Sequence, residues 1–146
     1  MNEIEIRKFM RKITTLMYVS FALWIVIVAL QLIIGLLTLA VGYGFATIFF
    51  MIYNLIGCIR YYKLIDSFKH YSTKPEAAAV VSYFEHSIGL CWLFMFLNLI
   101  LGGVVGFFGN FYDLLLAYYV KSKKKDLLMP SGAPGEINVP NPRDYE

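Results

Sequence analysis

The sequence predicts an all-α polytopic membrane protein: four transmembrane helices in two hairpins, with both termini on the cytoplasmic side. Three observations predict it. No Asp, Glu, Lys or Arg occurs from Ile13 to Ile59, an uncharged run of 47 residues. A membrane helix needs about 20 apolar residues, so this run holds two spans and a tight turn. A second apolar region, Ala77 to Val120, is 44 residues long and broken only by Glu85, His86 and Asp113. It also fits two spans. Third, the thirteen Lys and Arg fall before the first span, between the hairpins and after the last span, and neither hairpin turn contains one. The positive-inside rule then puts both termini and the middle loop in the cytoplasm.

Composition agrees. The chain of 146 residues is 59% hydrophobic and 16% charged, with a mean hydropathy of +0.63. Soluble domains lie nearer half apolar and a quarter charged. A soluble helical bundle would need a wet face, which an uncharged run of this length cannot supply. The first apolar segment outruns the h-region of a cleaved signal peptide, so it reads as an uncleaved span.

The transmembrane domain is expected over residues 1–125, with spans at about 13–36, 42–62, 79–101 and 104–120. In "MNEIEIRKFMRKI", Ile6, Phe9, Met10 and Ile13 recur at helical spacing. That suits a short interfacial helix entering the first span. The first turn falls at "TLAVGYG", Thr38 to Gly44. Tyr61, Leu64, Ile65, Phe68 and Tyr71 carry the second helix past the membrane surface. It should stop at "YSTKPE", because Pro75 disfavours helix in the residue before it. Thr73 and Glu76 form a T-x-x-E capping box that opens the third helix. The second turn is expected near Leu101 to Gly109. Residues 126–146 hold four of the five prolines and read as an extended cytoplasmic tail.

The fourth span carries an acid, Asp113. Gly102, Gly106, Gly109, Asn110, Asp113 and Ala117 recur every three or four residues and share one face. Small residues on one stripe let helix backbones approach closely, so this face is a packing seam. Counted from the charged flanks, Asn54, Glu85, His86 and Asp113 could share one layer as an intramembrane polar cluster. Such a cluster is either interhelical glue or a proton or ion path. Gln31 and Asn98 should sit near the outer turns and cap or bridge helix ends. Lys121, Lys123, Lys124 and Lys125 are placed to meet anionic lipid. Cys58 and Cys91 read as small packing residues.

No H-E-x-x-H, C-x-x-C, G-x-S-x-G, Walker or G-x-G-x-x-G motif occurs. The sequence points to no metal, no cofactor and no nucleic-acid partner. The basic amphipathic start, the uncharged double span, the re-entry "PEAAAVVSYFEH" and the basic exit resemble small bacterial four-helix inner-membrane proteins of uncharacterised families. That resemblance implies an architecture and a bacterial inner-membrane location, and no catalytic residues. The expected function is a non-enzymatic membrane subunit or scaffold. It would pack as a homo-oligomer or within a larger complex, in contact with lipid, and dock a cytoplasmic protein through its tail. The alternative is an oligomeric small channel, holin-like pore or transporter with Asp113 and Glu85 in an ion pathway. An enzyme acting on lipid headgroups ranks third.

Overall fold

A computed structural model describes residues 3–101 and 104–128. Gly102 and most of the proline-rich tail lie outside the described residues. The chain is all-helical, with no strand among those residues: α1 (Glu3–Leu37), α2 (Tyr43–Phe68), α3 (Lys74–Ile100), α4 (Val104–Ser122) and a short α5 (Lys124–Leu128). α1, α2 and α3 are each long and apolar enough to cross a membrane. α1 packs on α2 and α4, and α3 packs on α4. Both termini of the described chain therefore lie at one end of the bundle and both hairpin turns at the other.

The first turn needs glycine twice. A 3-10 turn over Leu39–Val41 ends at Gly42, whose φ of 79° is left-handed and costs a residue with a Cβ about 1–2 kcal/mol. Gly44 lies against Gly35 and Leu39, and a Cβ there would stand 2.5 Å from the Leu39 nitrogen. The second turn is shorter than the sequence suggested: α4 begins at Val104, so Gly106 and Gly109 are helical. Their missing side chains serve helix packing. The Tyr43 hydroxyl donates to the Ile100 carbonyl at 3.2 Å, tying the two hairpins together at the turn end.

The opening of α3 follows the sequence expectation. Glu76 accepts the backbone N–H groups of Ser72 and Thr73, each at 2.9 Å. These bonds, with the Thr73 side chain, hold its carboxyl below the usual carboxylate range. The folded pKa thus lies below the unfolded value of about 4.3. The stabilisation is full above that value and is lost as pH falls through the folded pKa. In hydrogen exchange corrected for intrinsic rates, Ser72 and Thr73 amide protection should hold down to about pH 4.3 and fall as the pH drops below that value. Glu76→Gln should be weakly protected throughout; a pH-dependent profile in that variant would refute the assignment.

The two ends of the bundle are built differently. At the termini end, Ile6, Phe9, Met10, Ile13 and Met17 of α1 meet Ile65 and Phe68 of α2, Ala77 to Phe84 of α3, Leu116 to Val120 of α4, and Leu127 of α5. The stripe on residues 6–13 is therefore a core face and not an interfacial one. α1 runs straight through it, 35 residues or about 52 Å. The stripe turns inward because α2 and α3 extend far enough to meet it. Around this core Arg7, Lys8, Arg11, Lys12 and Lys63 are exposed, as in a water-soluble bundle.

Toward the turns the pattern inverts. Val19, Val26, Ile33, Phe49, Ile56, Leu93, Phe96, Phe108 and Leu115 point outward. Ser20, Gln31, Thr47, Asn54, Asn98 and Asn110 are buried. In lipid, apolar burial between helices drives nothing, and close packing and hydrogen bonds hold spans together. In water apolar burial dominates. The interior therefore changes from apolar to polar along the bundle axis.

Candidate functional site

Two polar groups occupy the half of the bundle whose surface is apolar. The first joins three helices. The Asn54 side-chain amide donates to Gln31 Oε1 at 2.9 Å and to Asn98 Oδ1 at 3.2 Å. Gln31 donates to the same Asn98 oxygen at 3.3 Å, and Asn98 donates to the Phe94 carbonyl at 3.1 Å. Gln31 and Asn98 are fully buried. No buried side-chain polar atom among the described residues lacks a partner. A neutral, closed knot of this kind fixes the register of α1, α2 and α3 and holds no charge in lipid. α4 supplies its back wall: a Cβ on Gly106 would meet the Asn98 side chain, with Cγ at 2.7 Å. Asn110, next on the same face, donates to the Gly106 carbonyl at 3.1 Å.

The second group surrounds Asp113. Ser20 donates a short hydrogen bond to one carboxylate oxygen. The Trp24 indole N–H donates to the other at 2.7 Å. α1 thus supplies two neutral donors, and no ion pair to Asp113 is present among the described residues. Gly109 lets Trp24 lie flat on α4, since a Cβ there would stand 2.8 Å from the indole ring. Tyr112 helps hold α4 on α1 through its hydroxyl, 3.3 Å from the Leu16 carbonyl.

A cavity of about 250 Å³ lies beside Asp113, lined by all four long helices. α2 and α3 are the adjacent helices that pack least closely. They are bridged by the Asn54–Asn98 bond and by stacked Tyr53 and Phe94 rings, 5.1 Å between centroids. The cavity residues on α1 and α4 are buried or half-buried, whereas Tyr53, Gly57, Tyr83 and Leu90 on α2 and α3 are exposed. The mouth therefore opens sideways between α2 and α3, within the apolar belt. Cys58 and Cys91 are both free thiols and both line this cavity, which gives them a place beyond packing.

The expected layer of Asn54, Glu85, His86 and Asp113 does not assemble. Asn54 and Asp113 line the same cavity but belong to separate hydrogen-bond groups. Glu85 faces elsewhere. Tyr83 and Ser87 line the cavity, and Glu85 stands about 200° round the helix from each, at about 100° per residue. It pairs with Lys124 at 2.7 Å. His86 is exposed. Gln31 and Asn98, expected as end caps, instead form the knot. Of the expected packing seam, Gly106, Gly109, Asn110 and Ala117 are buried. Of the four lysines, Lys123 pairs with Asp126 at 3.2 Å and Lys124 with Glu85, while Lys121 and Lys125 are exposed. Ser20 and Trp24 were not foreseen as partners of Asp113. No cluster of three His, Cys, Asp or Glu suited to a metal occurs among the described residues. Comparison with family models, curated proteins and solved structures finds no match to this chain.

Proposed function

We propose that the protein is a non-enzymatic integral membrane subunit with four spans and cytoplasmic termini. It packs with copies of itself or with a larger complex and presents its tail to a cytoplasmic partner. The bacterial inner membrane is the setting this reading assigns. The observation that carries it is the apolar belt shared by all four long helices. α4 is only 19 residues, yet Val104, Phe108, Phe111 and Leu115 are exposed on it beside the belts of α1, α2 and α3. Support for the tail comes from α5. Leu127 is buried in the termini-end core and Lys124 is bridged to Glu85, so α5 is held against the bundle. An ion path using both acids loses support, because Glu85 and Asp113 face different surroundings.

Single cysteines placed at Ala40 and Ser122, in a chain with Cys58→Ala and Cys91→Ala, test the topology. An impermeant maleimide should label the Ala40 site on intact cells and the Ser122 site only after permeabilisation. Labelling of both from outside would remove α4 from the membrane. The reverse pattern would invert the protein. Wild-type function after deletion of residues 129–146, with no partner captured by the full chain, would remove the docking element.

A further inference from the structure

We infer that the cavity beside Asp113 is a binding site for a small lipophilic alkylammonium ion that enters from the bilayer between α2 and α3. The inference goes beyond the subunit reading and rests on one part of it, the placement of the cavity within the bilayer. Asp113 accepts one neutral donor on each oxygen. A carboxylate offers about four acceptor sites, so capacity remains toward the cavity. An unpaired charge in a low-dielectric setting is costly, and a bound monocation would neutralise it. The walls suit a cation too. Phe21, Trp24, Tyr53, Tyr61, Tyr83 and Phe94 all line the space, and aromatic faces attract cations most strongly where water is excluded.

Size and charge narrow the class. Drug-sized sites run about 300–1,000 Å³, and this one is about 250 Å³. It admits an ammonium head with a ring or short chain, the rest lying in the mouth. No Lys or Arg lines it. A phospholipid headgroup would bring its phosphate toward Asp113 with no basic partner there, so a free amine fits and a zwitterionic lipid does not.

The test uses the full chain in phosphatidylcholine nanodiscs, with labelled phenethylammonium in equilibrium dialysis against empty discs. Saturable binding is expected, and the neutral isostere propylbenzene should displace it at least tenfold less well. Asp113→Asn should raise Kd at least tenfold. Because that change could also loosen the bundle, Gly57→Leu provides an independent block. Gly57 lines the cavity, and a Cβ there meets nothing within 4 Å, so the substitution adds bulk at the mouth with no clash at its first atom. It should abolish saturable binding in a chain that still elutes as a folded species. Absence of saturable binding to the wild type would overturn the inference, as would equal displacement by the isostere or unchanged affinity in both variants. Loss of binding in phosphatidylethanolamine discs would reassign the site to a lipid headgroup and overturn the free amine.

Discussion

Gly44→Ala is expected to open the first hairpin, at a cost of about 2–3 kcal/mol, the upper part of the range for overpacking. The change adds one methyl, so its size has to come from what the methyl meets. At Gly44 a Cβ would collide with the Gly35 carbonyl oxygen and stand 2.5 Å from the Leu39 nitrogen and 2.8 Å from its Cα. All three are backbone atoms. No rotamer change relieves them, and α1 and α2 must separate. Gly57→Ala is the matched control, since its Cβ meets nothing within 4 Å. There, helix propensity alone predicts a gain of up to about 1 kcal/mol. Opposite signs for the same chemical change, read from reversible unfolding in mixed micelles, are the expected result. Two equal losses would mean that the Gly35–Gly44 approach is not present in the folded protein.

Gly106→Leu is expected to cost about 2–4 kcal/mol, from overpacking and from orphaned amides. Val105→Leu, one position away on the half-buried flank of α4, should cost under about 1 kcal/mol. The added side chain must displace Asn98, the acceptor for both Gln31 and Asn54. Removing Asn98 first should therefore shrink the penalty. In a double-mutant cycle with Asn98→Ala, Gly106→Leu should cost at least about 1 kcal/mol less than in the wild type. Strict additivity would show that the cost of leucine at this position is unconnected with the knot.

Much of the architecture is legible in the sequence because it depends on local rules. Uncharged length gives the long helices, Thr73 and Glu76 mark the start of α3, and the small residues of α4 mark its packed face. The polar groups were harder for two physical reasons. Depth was counted inward from the charged flanks, yet α1, α2 and α3 differ in length, at 35, 26 and 27 residues. Counting from the turns would have served better. Gln31 and Asn54 lie eleven and twelve residues on either side of Gly42, and Asn98 and Gly106 each lie four from Gly102. Antiparallel hairpins bring such pairs level. The partners of Asp113 are a different matter. Ser20 and Trp24 sit about 90 residues away in the chain, and only the adjacency of α1 and α4 brings them there. Nothing local encodes that adjacency. The interfacial reading of Ile6 to Ile13 fails for a related reason. An apolar stripe beside basic residues looks the same whether it meets lipid or the ends of three other helices.

That stripe also sets an order of events during synthesis. Ile6 through Met17 emerge from the ribosome first, but the surfaces that cover them include Val120 and Leu127, among the last described residues to be made. The core at the termini end cannot close until almost the whole chain exists. Until then the growing N-terminal segment carries an uncovered greasy flank flanked by arginines and lysines. An anionic membrane surface would receive such a flank until the later helices cover it.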